Sequence, residues 1–249
     1  VGHLANTSFS VSLNEGETYS ARNLNLDPSF SLSGSIVSSN NPIAITVFSG
    51  ALSNNGCIST MGDQITPTDF IGNDYIIYKG SSNAEKVIIL STQNSTSLSI
   101  ENSTTTNTLI NWSETYTYDL TDSITYIHSS KPIYVWHASG NGCDLSGTQV
   151  PNAFCTGTYS TSFSRGSSDS LSLVLFVKSG FEGDFLLNGI NSIVTAASFY
   201  DVPGMGGEYK AANIYLPTST VPVNSYNELV NTGDVFGLGV LNGANTSGS

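Results

Sequence analysis

The stretch NGCDLSGTQVPNAFC (residues 141–155) gathers the residue types most able to do chemistry in this chain. It holds two of the three cysteines, Asp144 beside one of them, and lies just after His137. Three chemistries could use such a set. Zinc takes about four Cys, His or carboxylate ligands in a tetrahedron, and His137, Cys143, Asp144 and Cys155 could supply them. The chain has no C-x2-C or H-x3-H pair, however, and the spacing is that of no zinc finger or ribbon. A cysteine nucleophile needs a histidine base oriented by a third group. His128 and His137 could be that base, but no nucleophile signature surrounds either cysteine. The third chemistry is a disulfide between Cys143 and Cys155, closing an 11-residue loop whose Gly147 and Pro151 suit a compact turn. The disulfide is the expectation, and it restricts the unfolded chain by ~2–4 kcal/mol. Cys57 is then left over, either buried and reduced or paired with another chain; a Cys57–Cys143 link is the alternative. Asp144 precedes a Leu-Ser-Gly turn, where it accepts hydrogen bonds from the loop's own N–H groups or from a ligand's hydroxyls.

Other candidate chemistry is thinner. Glu114, Asp119, Asp122, Glu182, Asp184, Asp201 and Glu208 could form a glycosidase pair, but nothing in the sequence brings two of them within the required 5–10 Å or so. GFEGDF (180–185) reads as a hairpin turn with solvated acids. No calcium-loop, nucleophile-elbow or phosphate-loop motif is present. No cofactor or metal is expected. Trp112, in NWSETY, reads as a turn residue exposed for ligand contact, and Trp136 as packed over the 143–155 loop beside His137. With Asp144 these make the candidate contact set. Sequons at Asn6, Asn94, Asn102, Asn111 and Asn245, and Asp-Ser-aliphatic sites at Ser123 and Ser170, mark candidate glycosylated loops.

The scaffold that must position these residues is β structure. Short β-branched or alternating runs recur at roughly 8–15-residue intervals, each bounded by Gly, Asn, Ser, Asp or Pro. Among them are PIAITVF (42–48), KVIIL (86–90), PIYVW (132–136), LSLVLFV (171–177) and VFGLGVL (235–241). The expected fold is all-β: tandem antiparallel sandwich-like modules with little or no helix. Charged residues are only 10% of the chain and the net charge is −12. Seven scattered Lys and Arg cannot neutralise a run of phosphates, which argues against nucleic acid and an anionic membrane surface. A surface rich in Ser, Thr, Asn and Gly is that of exported β proteins. No run approaches the roughly 20 apolar residues of a membrane span.

An internal repeat underlies the pattern. SSNNPIAITVFSG (38–50) parallels HSSKPIYVWHASG (128–140), NNGC (54–57) parallels GNGC (140–143), and GDQITPTDFIGNDY (62–75) parallels GTQVPNAFCTGTY (147–159). EGETYS (15–20) parallels WSETYT (112–117), and GGEYKA (206–211) opens a shorter third copy. The period of about 85–95 residues divides the chain into 1–100, 101–180 (with the stapled loop) and 181–249, with the whole read as a fragment of a longer protein.

PIYVWHASGNGCDLSGTQVPNAFCTG, followed by TSFSR (161–165), LVLFVKSGFEGDFLLNG (173–189) and FGLGVLNG (236–243), resembles the N-terminal domain family of the IgGFc-binding protein, in its bacterial branch. The resemblance covers most of residues 35–245. It implies a large extracellular β domain of an adhesin-like or mucin-like protein, and it assigns no ligand residues. The expected function is a non-catalytic binding or adhesion domain of a bacterial cell-surface or secreted protein, its ligand a glycan or glycoprotein and its partners including other domains of the same chain. The alternatives are a structural module of a surface fibre and a polysaccharide-active enzyme.

Overall fold

A computed structural model describes residues 2–4, 7–24, 32–54, 57–82, 84–141, 144–154 and 156–243. The chain forms two units, 1–36 and 37–249. The described part of the first unit contains no strand. Its best-defined feature is the turn at 14–17, where Asn14 N–H donates to Glu17 Oε2 (2.7 Å) and Glu17 N–H to the Asn14 carbonyl (3.1 Å).

The second unit is all-β apart from two short 3-10 turns, 68–70 and 196–198. In chain order its strands are β1 (Thr46–Asn54), β2 (Cys57–Gln64), β3 (Gly72–Tyr78), β4 (Lys86–Ser91), β5 (Thr96–Glu101), β6 (Thr105–Ile110), β7 (Thr115–Asp119), β8 (Ile124–Asn141) and β9 (Asp144–Gln149). They continue with β10 (Ser160–Ser164), β11 (Ser170–Lys178), β12 (Phe185–Leu187), β13 (Tyr200–Asp201), β14 (Tyr209–Tyr215), β15 (Tyr226–Asn231) and β16 (Phe236–Gly243). All ladders are antiparallel.

The first sandwich is organised by β8. Its first half pairs with β3 and β5, and its second half with β4 and β9. β6 extends the β5 side and β7 the β4 side. One strand thus serves two sheet faces, and the alternating residues of both turn into one core. Val87 and Ile89 of β4, Ile100 of β5, and Ile127, Ile133 and Val135 of β8 are wholly buried there. Pro132 lies mid-strand, not at a strand start as the sequence implies. The β5 partners end at Ser129 and the β4 partners begin at Ile133, while the β3 register slips between Gly72 and Asp74. A residue without an N–H is tolerated where the ladder changes partners. In the first copy, by contrast, residues 42–45 lie outside any strand, and β1 begins only at Thr46.

The second sandwich pairs a three-stranded sheet, β10-β15-β12, with a four-stranded one, β13-β14-β11-β16. In β11 the odd residues Leu171, Leu173, Leu175 and Val177 are all fully buried, the period-2 signature of a half-covered strand. Phe185 stacks on Phe199 (5.5 Å) and meets Phe236 edge-on (5.2 Å) in the same core. GFEGDF does not close a hairpin, because β11 and β12 belong to different sheets and the turn crosses between them. Arg165 is 1% exposed and ties the sandwich's end loops together. Its Nη1 donates to the Leu216 (2.9 Å) and Val221 (3.1 Å) carbonyls, its Nε to Ser167 O (2.9 Å), and its Nη2 to Asp169 O. A third apolar cluster joins the sandwiches: Ile76, Ile124 and Tyr126 from the first, Val202, Met205, Tyr209 and Ala211 from the second.

Strand pairing cuts across the three segments read from the repeat period. The 100/101 boundary falls inside β5, and β11, before the 180/181 boundary, is laddered to β14 and β16 beyond it. The repeat itself is visible in geometry. Thr46, Val47 and Phe48 face Gln64, Asp63 and Gly62, while Trp136, His137 and Ala138 face Gln149, Thr148 and Gly147: the aligned residues, in the same register. The bonds just beyond match too, Ile65 N–H to Ile45 O and Val150 N–H to Val135 O, both 2.8 Å. At 111–114 the turn bonds of 14–17 recur at 2.7 and 3.0 Å, with Ser113 (φ 67°) where the first copy has Gly16 (φ 84°).

One hydroxyl is out of place in this core. Thr125 Oγ1 is buried without a hydrogen-bond partner among the described residues, on the β8 face it shares with Ile127 and directly opposite Ile77. Thr125→Val keeps the shape and removes the unmet group. Its melting transition is expected to rise by the equivalent of about 1–2 kcal/mol, with an unchanged denaturant slope; a lower midpoint would contradict the assignment.

Candidate functional site

The two copies of the β1–β2-type hairpin stack on each other. Tyr134 and Trp136, on the face of β8 opposite Val135 and His137, reach the first hairpin. Tyr134 Oη donates to Thr66 O (2.8 Å) and Trp136 Nε1 to Met61 Sδ (3.0 Å). Gly147 lets them approach: a Cβ there would lie 2.3 Å from both Met61 Sδ and Trp136 Nε1. Asp63 fixes the alignment by accepting from Thr148 Oγ1 (2.6 Å) and Gln149 N–H (2.9 Å). Burial alone would raise the Asp63 carboxyl, but these bonds outweigh it and hold the group below its ordinary value.

Past the stacked hairpins, described residues of the repeat-equivalent segments 66–71 and 150–156 line a cleft of 260 Å³. Its floor is Tyr75, whose hydroxyl is consumed by backbone, donating to Ile133 O (2.5 Å) and accepting from Gly72 N–H (3.1 Å). Burial pushes that phenol up to about 12. The walls are Ile71, Val150 and Pro151, and the polar lining comprises Thr66, Asp69, Thr156 and two amides, Gln149 and Asn152. Gln149 Oε1 accepts Thr66 N–H (2.9 Å), and Asn152 Oδ1 accepts Phe154 N–H (3.1 Å). A backbone N–H requires the oxygen in each case. Both NH2 groups are therefore left as donors, with no partner among the described residues. Asn152 as a residue is buried, 8% exposed. At the rim Asp69 and Phe70 are open to solvent, Phe70 at 71%. An apolar slot with two oriented donors, one carboxylate acceptor and one exposed ring fits a hydroxyl-bearing or amide-bearing ring.

The residues singled out by sequence lie elsewhere. Cys143 and Cys155, and with them the expected disulfide, lie outside the described residues, as do Asn6 and Asn245. Asp144 opens β9, and its side chain too is outside them. Trp136 packs on Met61. His137 is 9% exposed and turned inward, with Nε2 3.1 Å from Glu85 Oε2. Trp112, half exposed, sits on the β6–β7 turn. That turn is clasped to the β4–β5 turn reciprocally: Trp112 N–H donates to Asn94 Oδ1 and Ser95 N–H to Asn111 Oδ1, each 3.1 Å. Asn94 and Asn111 are exposed, whereas Asn102 is half-buried with its Nδ2 on Tyr118 Oη (2.8 Å). Ser123 is exposed and Ser170 half-buried in β11.

Two polar clusters went unread in the sequence. Glu85, 1% exposed, accepts from Gly80 N–H (2.8 Å), Ser82 N–H (3.0 Å), Ser139 Oγ (2.9 Å) and His137 Nε2. Ser139 and His137 both point at the carboxylate, not at each other, so the group is a buried brace and not a nucleophilic relay. At the junction of the sandwiches Asp74 Oδ1 takes Tyr126 Oη (2.5 Å) and His128 Nδ1 (2.7 Å). Burial first, then the Asp74 bond, raises the Tyr126 phenol above its usual range. Among the described residues no three His, Cys, Asp or Glu side chains gather to hold a metal ion, and no helix is long and apolar enough to cross a membrane.

Burial alone would raise the Glu85 carboxyl. The bonds from His137 and from the Gly80 and Ser82 N–H groups, with the charge attraction of His137, hold it below its ordinary value. Its stabilising effect is therefore present above about pH 4.5 and lost as pH falls through the lower folded value. Glu85→Gln, which turns an NH2 toward donors, is expected to lose about 3 kcal/mol at pH 7 and to flatten the acid limb of the stability profile; an unchanged acid limb would remove Glu85 from this role.

No curated protein matches the chain. The family model described as IgGFc binding protein matches residues 1–240. That match spans both repeat copies, the stacked hairpins and the cleft between their loops, and the chain belongs to the IgGFc-binding family.

Proposed function

We propose that the chain is a non-catalytic, extracellular adhesion domain of a bacterial surface protein, and that the cleft between its repeat-equivalent loops holds a sugar ring of a glycan or glycoprotein. Family membership supports an extracellular binding domain. The observation that carries the ligand class is the pair of amide NH2 groups, on Gln149 and Asn152, whose oxygens are already committed to backbone. Such donors suit ring or carbonyl oxygens, Asp69 suits hydroxyls, and Phe70 offers its face to the C–H side of a ring. At 260 Å³ the cleft is below the ~300–1,000 Å³ of drug-sized sites and has room for one ring-sized group. A glycosidase would need a second carboxylate facing the first, and Asp69 is the acid on this cleft.

The test is a glycan array followed by titration of the best sugar. Phe70→Ala and Asp69→Asn alter exposed side chains and should leave the melting temperature unmoved. Each is expected to weaken binding about tenfold, or 1.4 kcal/mol. A blank array, or binding indifferent to both changes, would overturn the proposal.

A further inference from the structure

We propose that the outer edge of β1 is an acceptor for a β-strand from another polypeptide: an extended segment running antiparallel to β1, with aliphatic residues at alternate positions and no carboxylate at its leading end. The reading is independent of the cleft.

The argument rests on what the second repeat copy does with the same edge. Register equates Thr46 with Trp136 and Phe48 with Ala138. On β8 that edge is filled by β4, with Lys86 opposite Ala138, Ile88 opposite Trp136 and Leu90 opposite Tyr134. In an antiparallel ladder, alternate residues point their N–H and C=O to opposite neighbours. Ile45 O takes Ile65 N–H, so Thr46 and Phe48 aim theirs away from β2. No described residue pairs with either group. In this structure β1 is laddered to β2 alone.

The edge also lacks charged and proline blockers, and its one irregularity, the register shift between Ser49 and Leu52, lies beyond Thr46 and Phe48. Sheet edges are usually blunted by Lys, Pro or inward charges, and β1, TVFSGALSN, contains none. Phe48 is 72% exposed, and Ile43, the counterpart of fully buried Ile133, is 52% exposed, so an apolar lip borders the open groups. The chemistry of the occupant follows from the one strand that fits the equivalent seat. β4 presents Val87 and Ile89 inward and is preceded by Glu85, which needs His137. The first copy has Val47 at that position. An incoming strand should therefore resemble Lys86–Ser91 without the acid. Strand addition of this kind draws affinity from main-chain bonds and selectivity from alternate side chains.

The probe is a synthetic octapeptide, Ala-Lys-Val-Ile-Ile-Leu-Ser-Thr, added to the protein at up to about 1 mM while amide exchange is followed. Exchange at Thr46 and Phe48 is expected to slow about tenfold or more, saturably. N-methylation at the peptide position matching Ile88, whose N–H would face β1, should abolish the effect; N-methylation at the position matching Ile89, which faces away, should not. Unchanged exchange at Thr46 and Phe48, or equal protection by both methylated peptides, would overturn the proposal. So would protection that grows with protein concentration before any peptide is added, since the occupant would then be a second copy of this chain.

Discussion

Everything in the first sandwich depends on β8 being shared. Its 18 residues belong to one continuous strand, yet no single flat sheet could use both halves as this one does. The switch of partners around Pro132 turns the strand from the β3/β5 side to the β4/β9 side, and the inward residues on either side of the switch, Ile127 and Ile133, meet in one core. Removing the continuity would separate two small sheets, each too small to exclude water. The hairpin stack, the cleft and the Glu85 brace all hang from the second half of this strand.

The fold class was legible because period-2 patterning is local. KVIIL and LSLVLFV announce half-buried strands by composition and alternation alone, and β4 and β11 are such strands. The repeat was legible too, and its register is the same over the four pairs that begin at Thr46 and Trp136, after which the first hairpin shifts between Ser49 and Leu52. Sheet membership was not. GFEGDF has the composition of a hairpin turn, but whether a turn joins neighbours or crosses a sandwich is decided by partners far away in sequence. Pro132 misled for the same reason: a proline marks a missing ladder bond, and sequence cannot tell a strand start from a change of partner.

The site was the least legible part. Reading cysteine, histidine, tryptophan and acid as reactive types drew attention to 137–155, where His137 proves to be a buried brace. The cleft is instead lined by Gln149 and Asn152, amides that no motif sets apart, and what distinguishes them is that their oxygens are committed to backbone N–H groups. Only alignment of the two repeat loops could have indicated it, since the cleft is lined by residues of segments 66–71 and 150–156. Two buried charged groups tie loops together: Arg165 gathers four carbonyls as Glu85 gathers four donors.

The Glu85 brace also bears on how the chain avoids folding wrongly. Two hairpins that share register over four pairs offer the same backbone edge to β4, and a repeat protein of this kind can exchange one for the other. Backbone pairing cannot distinguish them. His137 can, because the first copy places Val47 there, and seating β1 against β4 would bury the Glu85 carboxylate without its imidazole donor. A wrong exchange thus leaves a charge short of a partner in a dry core, a penalty of several kcal/mol. The buried acid favours the observed pairing over the exchanged one, a distinction that hydrophobic pattern alone would not make.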